Sequence, residues 1–201
     1  IRRARTQPPT TFTPEQARAL LAAAPERSRP VFALAFATGL RISEVTGLRW
    51  RDVEPGRVTI RGIRTAEEGY KRVAKTHGSL RALAVPAEVT EALLTLRQGA
   101  EDDAFVWPMS HTTLRKDLRD AAKTAGVPLP HGKSLHVLRH SSATWLAGAG
   151  LPIRDVAARL GHTDASLTLR TYAHALPAAD ERASEMVGGL LSETGDEGSG
   201  E

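Results

Sequence analysis

The spacing of hydrophobic and polar residues predicts a chain built mainly of α-helices. The clearest helical face has apolar residues at the i, i+3, i+4, i+7 spacing: Ile153, Val156, Ala157 and Leu160. Gly161 follows directly and is the residue type that commonly ends a helix. Helices after the first are predicted over residues 29–38, 43–48, 87–97, 112–125, 134–148, 153–160 and 178–191.

The first helix carries a sequence signal for its start. Thr13, Pro14 and Gln16 fall at the N-cap, N1 and N3 positions, which is the pattern of a capping box with proline in the first turn. Phe12 lies just before the N-cap and is placed to pack on Ala17. Residues 1–10, basic and proline-containing, are predicted to be a linker.

The middle of the chain changes from helical spacing to alternation. Residues 57–61 and 81–85 alternate polar and apolar side chains, which is typical of strands. A middle strand near 70–74, followed by a turn at 76–78, is predicted to complete one small antiparallel sheet. The predicted fold class is therefore mainly α with a small antiparallel β-sheet.

Composition narrows the class of protein. The 201 residues suit one compact domain, and the 41% hydrophobic content is enough for a core. The absence of cysteine excludes disulfides and thiolate catalysis. No run of 18 apolar residues occurs, so no membrane span is expected. We expect a cytoplasmic protein whose Ser-, Gly- and acid-rich residues 192–201 are disordered.

The distribution of charge indicates a polyanionic partner. The whole chain carries a formal charge of +4. Its last fifteen residues hold four acidic residues and no Lys or Arg, so the other residues, with 27 basic and 19 acidic side chains, carry +8. A basic body of this kind favours nucleic acid as the partner.

Separate segments contain side chains suited to binding a phosphate. Arg41 opens a predicted helix, and Glu44, one turn later on the same face, is placed to hold its guanidinium. His136 and Arg139 share a helix face, which combines an imidazole with a bidentate phosphate clamp. His140 lies about 100° further around the helix and is expected to pack or cap.

The remaining candidates lie in turns or near helix ends. Lys75, beside a glycine-containing turn, is placed to protonate a leaving alkoxide, with Lys71 as its rival. His162, just past a helix end, either interacts with that helix terminus or hydrogen-bonds a phosphate oxygen. A phenol of ordinary pKa ~10 needs a base and nearby positive charge to react. The candidate histidines and arginines can supply both to Tyr172, which is therefore the candidate nucleophile. Tyr70 is predicted to be a strand residue.

These segments, in this order, resemble the catalytic domain of tyrosine recombinases, the phage-integrase family: TGLRISEVTGLRW, KTHGSLRALAVP, LHVLRHSSATWLAGAG, RLGH and LRTYAHA. The resemblance covers about residues 11–191 and implies that fold. It implies that Tyr172 attacks a DNA phosphate to form a 3′-phosphotyrosyl link while Lys75 protonates the leaving 5′-oxygen. The resemblance assigns the remaining roles as follows: transition-state stabilisation to Arg41, Arg139 and His162, and proton transfer to His136.

The resemblance also sets expectations for partners. It implies double-stranded DNA as substrate and a homotetramer on paired DNA sites, with the helix at 178–191 docked on a neighbouring protomer. We expect no cofactor, no metal and no small-molecule substrate. Two alternatives stay open: a type IB topoisomerase, which uses a similar covalent link, and an inactive DNA-binding module.

Overall fold

The computed structural model describes residues 11–72, 80–129, 135–162, 165–172 and 187. Eight helices are assigned in this part of the chain: α1 (Pro14–Ala23), α2 (Arg29–Thr38), α3 (Ile42–Gly47), α4 (Ala87–Leu94), α5 (His111–Thr124), α6 (His136–Gly148), α7 (Ile153–Leu160) and α8 (Ala165–Tyr172). A 3₁₀ turn covers Trp50–Asp52. Five short strands lie between α3 and α4: β1 (Val53–Glu54), β2 (Arg57–Ile60), β3 (Gly62–Thr65), β4 (Gly69–Arg72) and β5 (Arg81–Ala84). The predicted fold class is confirmed.

Local sequence signals set the helix ends. The Thr13 hydroxyl accepts a hydrogen bond from the Gln16 amide at 3.2 Å, and the Gln16 side chain accepts one from the Thr13 amide at 2.9 Å. The predicted capping box therefore starts α1. Gly39 and Gly161 end α2 and α7 in the left-handed conformation, with φ of 67° and 70°. Glycine adopts this conformation without a steric penalty.

The strands pair differently from the prediction. Strands β1, β2 and β5 form one antiparallel sheet in that order, with Val58 opposite Leu83. The predicted middle strand is β4, but it pairs with β3 in a separate hairpin, with Thr65 opposite Gly69. Gly69 lies at the end of the tight turn between the two strands. Its positive φ of 67° lets the chain reverse there. The prediction of a single sheet was wrong because this hairpin turn was missed.

Other differences concern the helices near the candidate site. Helix α8, which carries Tyr172, was not predicted, and α4 ends at Leu94 rather than near residue 97. Most of the predicted helix at 178–191 lies outside the described residues, although Val187 is helical. The predicted linker and acidic tail also lie outside them.

Two hydrophobic clusters hold the described elements together. The larger one contains residues of all five helices α1 through α5, of the three-stranded sheet and of the first turns of α6. The smaller one lies between α6, α7 and α8 and consists of Ala143, Ala147, Val156, Leu160 and Tyr172. Tyr172 is therefore a core residue, 2% exposed. Within the described part of the chain, no helix is long and apolar enough to cross a membrane.

We expect Gly39→Ala to destabilise the fold more than Gly69→Ala. Both glycines have a φ of 67°, so each alanine pays the left-handed penalty of about 1–2 kcal/mol. At Gly39 the new Cβ would also lie 2.6 Å from Leu160 Cδ2, whereas nothing lies within 4 Å at Gly69. Overpacking of this kind adds about 1–3 kcal/mol. Urea unfolding of both variants measures the difference, and equal losses would contradict the tight packing of α2 on α7.

Candidate functional site

A buried carboxylate organises the site. Arg41 is the N-cap residue of α3, and its backbone amide donates to Glu44 Oε2 at 2.8 Å. The Arg41 side chain approaches Glu44 Oε1 at 3.4 Å and is 42% exposed. The Glu44 side chain is buried, 5% exposed. Glu44 thus orients Arg41 as the sequence predicts, with the guanidinium still open to solvent.

Arg81, on β5, is a second partner of Glu44 that the sequence analysis missed. Its Nη1 and Nη2 lie 3.1 and 3.2 Å from the two carboxylate oxygens of Glu44, a bidentate arrangement. It also donates to the carbonyl of Leu160 at 3.3 Å, at the end of α7. The 11% exposed side chain of Arg81 therefore joins α3, β5 and the segment that leads into His162.

Arg139 lies at the centre of the site. Its side chain is buried on α6, donating from Nη1 to the Gly39 carbonyl at 2.8 Å and from Nη2 to His162 Nε2 at 2.7 Å. Burial, and secondly the charge of Arg41, lower the pKa of Arg139 to about 10. His136 begins the same helix and is exposed. The structure thus places Arg139 in contact with His162.

The contacts of His162 define its protonation state. A guanidinium only donates, so Nε2 must accept from Arg139 and the imidazole must be neutral. The proton then resides on Nδ1, which donates to the buried Thr168 hydroxyl at 2.6 Å. Burial, followed by the charges of Arg139, Arg41 and Arg81, lowers the pKa of His162 to about 4.

Tyr172 points to a different histidine. Its hydroxyl lies 2.8 Å from Nδ1 of His140, one residue after Arg139 on α6. The sequence position of His140 predicted that it packs or caps. Its contact with the Tyr172 hydroxyl goes beyond that prediction. Burial raises the pKa of Tyr172, and the nearby charge of Arg139 partly opposes this effect. At neutral pH the phenol is protonated and enclosed by α6, α7 and α8.

The structure joins six of the eight residues selected from sequence through three contacts, which are Arg41–Glu44, Arg139–His162 and His140–Tyr172. Lys75 lies outside the described residues, so its role stays a prediction. Its rival Lys71 is exposed on β4 and pairs with Glu68 at 2.6 Å. Among the described residues, no group of three or more His, Asp or Glu side chains is arranged to hold a metal ion.

Sequence comparisons link the chain to a family and to named relatives. The phage integrase family profile matches residues 10–179. The tyrosine recombinase XerD of Neisseria meningitidis is 33% identical over 177 residues, which covers 83% of this chain and 58% of that protein. A XerC-like tyrosine recombinase of Caldanaerobacter subterraneus is 27% identical over 198 residues, covering 82% of this chain and 50% of the relative. The chain thus spans only part of these relatives.

Solved structures share the fold. The Tn1549 transposon integrase in complex with transposon right end DNA superposes with a TM-score of 0.72 at 26% identity, covering 90% of this chain and 66% of that one. The catalytic domain of bacteriophage HP1 integrase gives a TM-score of 0.65 at 22% identity, covering 88% of this chain and 94% of that domain.

We expect Arg81→Met to destabilise the protein by about 3 kcal/mol, because it leaves the buried Glu44 carboxylate with only the more exposed Arg41. Methionine keeps most of the side-chain volume but neither the charge nor the donors. Arg18→Met, which breaks an exposed ion pair with Glu15, is the matched control and should change little. Urea unfolding compares the two. A loss no greater than the control's would show that the Arg81–Glu44 pair does not hold these elements together.

Acid should weaken the fold through His162. In the unfolded chain this histidine titrates near its ordinary pKa of 6.5, whereas in the folded protein it stays neutral down to about 4. The unfolded state therefore takes up the proton first, and stability falls as pH drops from 6.5 toward 4. His162→Gln removes this contribution. The difference in unfolding free energy between wild type and variant should change between pH 7 and 5, and a constant difference would contradict the neutral state of His162.

Proposed function

The chain belongs to the phage integrase family, and on this premise we propose that it is the catalytic domain of a site-specific DNA recombinase. The observation that carries the proposal is the contact between the buried tyrosine hydroxyl of α8 and the helix that carries a buried arginine, α6. His140, the partner of Tyr172, directly follows Arg139. The candidate nucleophile thus contacts the residue next to the candidate phosphate-binding group.

The polar cluster is suited to an oxyanion. Three guanidinium groups, those of Arg41, Arg81 and Arg139, act on His162, and the carboxylate that opposes them is Glu44. The excess positive charge in a partly buried site favours an anion such as a phosphodiester. A bound phosphate takes the Arg139 donor now given to His162. Its negative charge also raises the pKa of His162, which then donates a hydrogen bond to a phosphate oxygen.

The reaction is a transesterification. The Tyr172 oxygen bonds to phosphorus and the bond from phosphorus to the 5′-oxygen breaks, leaving a 3′-phosphotyrosyl link. Lys75 gives a proton to the leaving 5′-oxygen, and His136 takes part in proton transfer. A 5′-hydroxyl from a partner strand then reverses the step. The link keeps the energy of the phosphodiester, so the reaction needs no nucleotide cofactor.

Helix α5 provides a surface for the DNA backbone. Its inner face buries Leu114, Leu118 and Ala121. Its outer face carries exposed basic residues: Arg115, Lys116, Arg119 and Lys123. Arg115, Arg119 and Lys123 are spaced four residues apart and so share one face. Lys and Arg in such a stripe neutralise successive phosphates.

The active assembly is a homotetramer on paired DNA sites. In it, the predicted helix at 178–191 docks on a neighbouring protomer, since its apolar residues are numerous for so short a segment: Met186, Val187, Leu190 and Leu191. Strand exchange between two DNA sites distinguishes this recombinase from a type IB topoisomerase, which relaxes DNA with one active site.

Tyr172→Phe should abolish covalent capture of a suicide DNA substrate. It removes the nucleophilic hydroxyl and no carbon, so the packing between α6, α7 and α8 remains. Tyr70→Phe is the matched control. It also removes one buried hydroxyl, one for which the structure shows no partner, and it should leave capture unchanged. Denaturing gels measure the protein–DNA adduct. Undiminished capture by Tyr172→Phe would refute the assignment of the nucleophile.

A further inference from the structure

We propose that His140 is the catalytic proton acceptor for the Tyr172 hydroxyl. This inference rests on the proposed function, because it takes Tyr172 as the nucleophile. The hydroxyl lies 2.8 Å from His140 Nδ1, with the two rings tilted by 51° and their centroids 6.0 Å apart. This separation is within the range that a general base needs to take a proton directly.

His162, the histidine that contacts Arg139, is not available for the task. Its Nε2 accepts from Arg139, and its Nδ1 donates to Thr168. Both ring nitrogens therefore have partners before any substrate binds. A bound phosphate would draw His162 toward the protonated, donating form, which cannot accept a proton from tyrosine.

Solvent is also a poor acceptor for this proton. Tyr172 is 2% exposed and packs among the apolar side chains of Ala143, Ala147 and Val156. Burial raises the pKa of the phenol, so the enclosed hydroxyl does not ionise spontaneously at neutral pH. The His140 imidazole, within hydrogen-bond reach of the enclosed hydroxyl, supplies the acceptor that the phenol requires.

The step balances as a proton transfer coupled to phosphoryl transfer. The O–H bond of Tyr172 breaks, the proton passes to Nδ1 of His140, and the phenolic oxygen forms its bond to phosphorus. The bond between phosphorus and the 5′-oxygen breaks, and that oxygen takes its proton from the general acid assigned to Lys75. In rejoining, the proton on His140 returns to the departing phenolic oxygen. Arg139, the neighbour of His140 on α6, offsets the negative charge on that oxygen.

The test separates proton acceptance from simple positioning. His140→Asn places an amide oxygen near the site of Nδ1, so it keeps a hydrogen-bond acceptor for Tyr172 but cannot take the proton. His140→Ala removes both functions. Thr144→Val, one turn later on α6, removes a hydroxyl for which the structure shows no partner and serves as the control. Single-turnover formation of the covalent adduct is measured with the whole chain on a suicide DNA substrate.

We expect both His140 variants to slow adduct formation by roughly 100-fold or more, the usual contribution of a general base, and Thr144→Val to match wild type. A 5′-phosphorothiolate substrate, whose sulfur leaves without a proton, should rescue Lys75→Ala but neither His140 variant. Wild-type speed in His140→Asn would show that His140 only positions the tyrosine. Faster capture in His140→Ala would show that His140 restrains Tyr172. Rescue of the His140 variants by the 5′-phosphorothiolate substrate would show that His140 protonates the leaving group. Each of these three results overturns the proposal.

The failure of the underlying function has a different signature. If Tyr172→Phe still captures DNA, the nucleophile is another residue and the proposed function fails. If Tyr172→Phe is inactive while His140→Asn reacts at the wild-type rate, the function stands and only the role of His140 is refuted. DNA affinity of each variant, measured separately, identifies any variant that fails because it does not bind.

Discussion

The site depends on the burial of one carboxylate among arginines. Glu44 receives Arg81 through both oxygens and contacts Arg41. These contacts draw α3, β5 and the end of α7 to one point, because the Arg81 side chain also donates to the Leu160 carbonyl. An uncompensated buried carboxylate is costly, so the pairing constrains all three elements together. It also leaves the cluster with more positive than negative charge, which is the property a phosphate ligand requires.

Burial and the same excess charge set the resting state of the histidine, and burial sets that of the tyrosine. His162 is neutral because it is partly buried and because protonation would add another cation beside Arg139. Tyr172 is protonated because its ring is buried and its hydroxyl contacts His140 rather than the arginines. In the proposed function, a bound phosphate pairs with the guanidinium groups and so favours protonation of His162. On this proposal, substrate binding and the proton position of His162 are coupled through electrostatics.

Sequence patterns predicted the features that depend on neighbouring residues. The capping box of Thr13 and Gln16 and the glycine stop at Gly161 act within one helical turn, and both were confirmed. The features that were missed depend on distant residues. Arg81 meets Glu44 across 37 positions and His140 meets Tyr172 across 32, so neither contact has a local pattern. Helix α8 did have a weak signal, an aspartate directly before Ala165, which is a residue type that favours an N-cap.

We propose that the arginine cluster around His162 receives a phosphate of DNA. Nitrogen-15 NMR of the His162 imidazole tests it most directly, with Tyr172→Phe used so that no bond is broken. Without DNA, the ring should be the neutral Nδ1–H form, with a pKa of about 4. With a duplex carrying the recombination site, its pKa should rise and Nε2 should become protonated. An unchanged pKa and tautomer in the presence of saturating DNA would contradict the account.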